Sequence, residues 1–120
     1  MPTKEQIISA IEAYCRYETE KNKEGWLALF APDASHEDPV GLVRNDGLEK
    51  IAAFWDGFQP WNVHLRLVEP PIVCGVEAVA LMEATTGPDN DRRTSGRIVD
   101  QIIFNEDGKI KAVRAFYNYG

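Results

Sequence analysis

The sequence predicts an α+β domain whose curved antiparallel sheet wraps over N-terminal helices and leaves a conical pocket between the layers. Apolar residues recur at three- and four-residue steps in the first half of the chain, and beyond Pro60 they alternate with polar ones. Turn signals then cut the second half into strand-length pieces, at Gly87-Pro88-Asp89-Asn90 and at Asn105-Glu106-Asp107-Gly108. With 120 residues, 44 % of them hydrophobic, residues 1–120 read as one domain with a core of its own.

Helix signals come first. Thr3 and Gln6 fit a capping box ahead of a helix over 4–21, and Ile7, Ile8, Ile11, Tyr14 and Cys15 give it an apolar face. A second short helix is predicted over 23–30, carrying Trp26, Leu27, Leu29 and Phe30. Turn residues between Pro32 and Gly41 flank a short extended piece over 35–38. A third helix over 49–58 is opened by Asn45-Asp46-Gly47 and anchored by Ile51, Phe54 and Trp55. Four strands follow: one around Val63, Leu65 and Leu67, one over 72–86, one over 94–104 and one over 109–117. The cluster Asp89, Asp91, Arg92 and Arg93 reads as a solvated turn.

Charge and cysteine usage exclude several classes. Thirteen Lys and Arg stand against 19 Asp and Glu, a formal net charge of -6. That sign argues against a nucleic-acid backbone or an anionic membrane as partner. No apolar run has the length of a membrane span, and MPTKEQIISA lacks a signal-peptide pattern. Cys15 and Cys74 form no CxxC pair, so a reduced cytoplasmic protein is expected, with Cys15 in the core. His36, Glu37 and Asp38 have no metal-ligand spacing, and the glycines lack the strand-to-helix setting of a phosphate loop.

Three residues suggest chemistry. Side chains two apart on a strand share a face, so Asp100 points the same way as Ile98, Ile102 and Phe104. An acid among such neighbours loses hydration, keeps its proton at neutral pH and can donate a hydrogen bond. Asp38 precedes Pro39, which biases it to an extended backbone and suits a general base at a rigid pocket mouth. Glu37 is a rival base that alternation sends to the opposite face. Tyr14 lies on the apolar face of the first helix, where its hydroxyl can reach a cavity; Tyr17 sits at a more polar edge.

At these residues the sequence resembles the bacterial steroid Δ5-3-ketosteroid isomerases, within the nuclear-transport-factor-2-like (SnoaL-like) superfamily, from Ile11 to Tyr117. The strongest local matches are Leu27-Ala28-Leu29-Phe30-Ala31-Pro32-Asp33-Ala34 and Glu37-Asp38-Pro39-Val40-Gly41. The run Ile98-Val99-Asp100-Gln101-Ile102-Ile103-Phe104 matches the strand that holds the family's protonated acid. Ketosteroid isomerase is itself the standing example of a carboxylic acid kept neutral at pH 7 to donate a hydrogen bond.

The resemblance implies a cystatin-like α+β roll and a steroid Δ-isomerase that needs no metal or organic cofactor. Asp38 would be the base, with Tyr14 and neutral Asp100 holding the dienolate oxygen. Where relatives support that tyrosine with further tyrosines, this chain has Phe30 and Trp55. Expected pocket walls are Trp55, Phe58, Trp61, Leu65, Met82 and Phe116, facing a small apolar ketone of the steroid class. A homodimer is implied, its interface formed by outward residues of the sheet, including the strand around Val113. The alternatives are another superfamily enzyme, such as a SnoaL-like cyclase or a dehydratase, and a non-catalytic binding module for an apolar small molecule. A limonene-type epoxide hydrolase fits poorly, because Arg97 shares no face with Asp100.

Overall fold

The computed structural model describes residues 1–119. Helix α1, Lys4–Glu20, starts with the expected capping box: Thr3 Oγ1 accepts from the Gln6 N–H at 3.1 Å, and Gln6 Oε1 accepts from the Thr3 N–H at 2.8 Å. It stops at Lys21, which is left-handed. Ile7, Ile11, Tyr14, Cys15 and Glu18 form its buried stripe. Helix α2, Lys23–Ala28, is capped by Asn22 and is shorter than expected, because Phe30 already belongs to strand β1, Phe30–Glu37. Pro32 explains the difference, since the residue before a proline is held away from helical backbone.

Strand β2, Arg44–Asp46, was not anticipated; it pairs with Ser35–Glu37 and leads into helix α3, Leu48–Phe58, and a 3-10 turn, Gln59–Trp61. Strand β3 is His64–Leu67. The long strand expected over 72–86 is two strands, β4 (Ile72–Cys74) and β5 (Glu77–Thr86), folded back on each other so that Ile72 pairs with Val79. Gly75, at a φ of 65°, makes that tight turn possible. Strands β6 (Arg93–Phe104) and β7 (Ile110–Phe116) complete the sheet, in the order β2-β1-β7-β6-β5-β3 with β4 on β5. It is curved, unclosed and antiparallel except between β1 and β7, which run parallel. Arg92 is no solvated side chain: it donates to the carbonyls of Gly87 and Thr85 and to Thr85 Oγ1, and so clamps the β5–β6 hairpin.

The helices pack on the concave face. Trp26 is wholly buried there, with ring centroids 4.8 Å from Phe30, 4.9 Å from Trp55 and 5.6 Å from Tyr14. Met82, Ile102, Ile110 and Val113 are fully buried from the sheet side. Val113 therefore faces the core, while Val79, Val99 and Phe116 are exposed on the convex face. No helix among the described residues is long and apolar enough to cross a membrane.

Candidate active site

One row of the sheet explains where a cavity can open. Asp100 on β6 pairs with Ala80 on β5 and with Ala115 on β7. No side chain larger than a methyl therefore stands beside its carboxyl on either neighbouring strand. Ala84, paired with Gly96, keeps the next part of the concave surface low. Between this part of the sheet and the helices, with Ala84 in its wall, lies a cavity of about 520 Å³ lined by Tyr14, Asp38 and Asp100 together. Small-molecule sites commonly enclose ~300–1,000 Å³.

The three arrive from different elements. Tyr14 comes from the buried stripe of α1 and Asp100 from the middle of β6. Asp38 lies just past β1, in a loop pinned by backbone bonds: its N–H donates to the Val43 carbonyl at 2.9 Å, and the Val40 N–H donates to that of Ala115 at 2.9 Å. Glu37 points outward, to Arg114 at 3.2 Å and Arg44 at 3.5 Å. Arg97 also lies away from the cavity, 3.7 Å from Glu83.

Of the expected walls, Phe58, Trp61 and Leu65 line the cavity, and Trp55, Met82 and Phe116 do not. Trp55 is packed behind the wall against Trp26, and Met82 is buried with its sulfur 3.9 Å from Cys15 Sγ. Phe116 falls on the convex face because Ala115, paired with Asp100, takes the inward position before it; Tyr117 then borders the cavity mouth. Leu42, Val43, Trp61, Tyr117 and Tyr119 are exposed large side chains that border the cavity, so its mouth is apolar.

Two further buried polar residues line the cavity. Glu18 follows Tyr14 by four residues on α1, a charged residue on an otherwise apolar stripe. His36 is only 1 % exposed, and its Nε2 lies 3.1 Å from the Tyr14 hydroxyl oxygen. Alternation of Ala34, His36 and Asp38 against Ser35 and Glu37 was the signal for it. Neither Phe30 nor Trp55 supports the tyrosine by a hydrogen bond.

Burial sets the protonation states. It is the largest cause that lifts the Asp100 carboxyl to about 8, with the Asp38 charge adding to it. Glu18 is pushed up to about 8, by burial first and then by the charges of Asp100 and Asp38. The Trp26 indole N–H and the Tyr14 hydroxyl face Glu18 and draw it back, although neither is in hydrogen-bond geometry with it: the hydroxyl bonds His36, and the indole N–H has no partner. Asp38 is also raised by burial and is drawn back by the Tyr117 hydroxyl. It is the most solvent-open of the three carboxyls, so it ionises first. Burial pushes Tyr14 well above the ordinary phenol and His36 down to about 4, leaving both neutral at pH 7. Among the described residues, no Lys or Arg lines the cavity and no three His, Cys, Asp or Glu side chains gather as a metal-ligand group.

The raised carboxyls make stability fall as the pH rises, most clearly above about 6.5, where His36 is neutral in both states and no longer offsets them. From about 6.5 to about 8, Asp100 and Glu18 are ionised in the unfolded chain and hold their protons in the folded one. Each then costs at most about 1.4 kcal/mol per pH unit. In urea titrations the unfolding midpoint is expected to fall across this window, and to fall much less in the Asp100→Asn/Glu18→Gln variant. A flat or rising midpoint in the parent protein contradicts the protonation states.

The sequence matches the family model described as the SnoaL-like domain over residues 11–113. The chain belongs to the SnoaL-like family. Within it, the chain is 32 % identical over 93 residues to a steroid Delta-isomerase of Nocardioides simplex, covering 78 % of this chain and 74 % of that protein. It is also 32 % identical over 108 residues to the epoxide hydrolase LasB of Streptomyces lasalocidi, covering 87 % of this chain and 38 % of that longer protein. Solved structures share the SnoaL-like fold. A computationally designed 17-OHP binder superposes with a TM-score of 0.81 at 26 % identity, over 94 % of this chain and 91 % of that one. A Mycobacterium tuberculosis protein in complex with estradiol-17beta-hemisuccinate gives 0.82 at 23 % identity, over 94 % of each chain.

Proposed function

We propose that the cavity moves a proton beside the ketone of an apolar, steroid-sized molecule, converting a Δ5-3-ketosteroid into the conjugated Δ4 isomer. The observation that carries this reading is the convergence of Tyr14, Asp38 and Asp100 on one cavity with an apolar mouth. The similarity to a steroid Delta-isomerase supports it, as do the fold neighbours named for 17-OHP and for an estradiol derivative.

Ionised Asp38 takes a proton from the carbon between the ketone and the β,γ double bond. The C–H electrons form the dienolate, and its negative charge collects on the ketone oxygen. Tyr14 and protonated Asp100 donate hydrogen bonds to that oxygen, and these bonds strengthen as the charge develops. Asp38 returns the proton to the γ carbon and the carbonyl re-forms, so atoms and electrons balance without an added reagent. Asp100 Oδ1 is buried with no hydrogen-bond partner among the described residues, which leaves it available to a ligand oxygen.

Equilenin, a phenolic steroid, imitates the dienolate and tests the site without turnover. Tyr14→Phe is expected to weaken its binding about tenfold or more, read by calorimetry. Unchanged affinity in a folded variant contradicts the oxyanion role. On the convex face, Val79, Val99 and Phe116 would be covered by a second copy of the chain; a monomeric mass by light scattering at micromolar concentration removes that dimer.

Glu18 and the LasB similarity favour a second reading, epoxide opening. Neutral Glu18 would protonate the epoxide oxygen as its C–O bond breaks, while Asp38 takes a proton from the attacking water, whose oxygen forms the new C–O bond. Turnover of an apolar epoxide, with none of the β,γ-unsaturated ketone, would select it.

A further inference from the structure

His36 is held edge-on or tilted among aromatic rings, with centroids 5.0 Å from Phe54, 5.9 Å from Trp26 and 6.2 Å from Phe30. Its one polar contact is the 3.1 Å approach of Nε2 to the Tyr14 oxygen, and its Nδ1 is buried with no hydrogen-bond partner among the described residues. The neutral ring carries one N–H, so two arrangements exist. With the proton on Nδ1, a buried N–H has no acceptor and the Tyr14 hydroxyl spends its proton on Nε2. With the proton on Nε2, only a bare Nδ1 lone pair is left unmet, and Tyr14 accepts rather than donates. Orphaned buried N–H groups are rarer than under-satisfied acceptors, so the second arrangement costs less.

We propose that His36 donates its Nε2 hydrogen to the Tyr14 oxygen, which leaves the Tyr14 hydroxyl proton free for a ligand oxygen in the cavity. His36 is then a positioning residue for the oxyanion role given to Tyr14 above, and rests on that reading. A donor on the phenol oxygen polarises its O–H, so the bond to a developing oxyanion is stronger than an unsupported tyrosine would give. It also fixes where the hydroxyl points, because the buried ring cannot turn without disturbing three aromatic neighbours. The histidine thus supplies the hydrogen bond that Phe30 cannot make and that Trp55, behind the wall, does not make.

Nitrogen NMR of the unsubstituted protein, with labelled histidine and no ligand, reads the tautomer directly. His36 is expected to show a protonated Nε2 and a bare Nδ1; a protonated Nδ1 overturns the inference. Two variants test its use. His36→Phe keeps an aromatic ring but no donor, and should lower both equilenin affinity and kcat about tenfold with KM little changed. His36→Gln offers an amide N–H and should recover most of that loss. A folded His36→Phe protein with unchanged equilenin affinity overturns the positioning role, provided that Tyr14→Phe weakens it. If Tyr14→Phe also leaves equilenin affinity unchanged, the oxyanion reading fails, and the positioning role fails with it.

Discussion

Asp38→Asn is expected to lower kcat for 5-androstene-3,17-dione on the order of 10⁴-fold, with the affinity for equilenin little changed. The amide matches the carboxylate in shape and cannot take a proton from carbon. The loop need not move, because its fixed points are backbone bonds from Asp38 N–H to Val43 and from Val40 N–H to Ala115. Removing the Asp38 charge also removes one of the two causes that raise Asp100, but burial, the larger cause, stays. Asp100 therefore keeps its proton at neutral pH and the oxyanion donors survive, which separates lost chemistry from lost binding. Glu37→Gln is the control. Its carboxylate bonds Arg114 and Arg44 on the outer side of the sheet, so turnover should stay near that of the parent. Loss of activity in Glu37→Gln, with activity kept in Asp38→Asn, would put the base on the wrong residue.

Asp100→Ala is expected to cost about 10²- to 10³-fold in kcat, the usual loss for one oxyanion donor. Asp100→Asn should cost less, since an amide N–H can donate to the same oxygen. The pH profile carries more information than the magnitude. Activity needs Asp38 ionised and Asp100 protonated, so it should rise through the pKa of Asp38, which burial lifts above the ordinary carboxylate range. It should fall again through about 8 as Asp100 loses its proton. With Glu18, which also loses its proton at about 8, replaced by Gln, Asp100→Asn has no such proton to lose and its alkaline limb should vanish. The two acids share a cavity, so the limbs belong to the pair as well as to its members. An alkaline limb that is present in Glu18→Gln and unchanged in Asp100→Asn/Glu18→Gln contradicts the role of a protonated Asp100.

Much of this arrangement was legible in the sequence because strand alternation is strict. Alternation placed Asp100 with Ile98, Ile102 and Phe104, and the strand buries that face; it sent Glu37 away from Asp38, and the ion pairs lie there. Helical spacing put Tyr14 on the buried face of α1 in the same way. What escaped depends on partners distant in sequence. Trp55 and Met82 carry the pattern of wall residues, but depth within the core is set by which neighbours stand in front, and for Trp55 that neighbour is Trp26. Phe116 was assigned inward, whereas Val99, its partner on the adjacent strand, shares the outer face with it. The break at Gly75 was hidden because Val73 and Val76 continue the apolar character of the strands on both sides. Nothing in the sequence pairs His36 with Tyr14; their bond joins residues 22 apart in the chain and becomes visible only once β1 and α1 are packed.

Transposition of a carbon–carbon double bond beside a ketone is the activity proposed for these side chains. Absorbance at the band of the conjugated enone, with purified protein and 5-androstene-3,17-dione, measures it most directly. Enone formation is expected in proportion to the parent protein, and its loss in Asp38→Asn. Folded parent protein that binds equilenin yet forms no enone above the buffer rate, even at high enzyme concentration, would contradict the proposed activity.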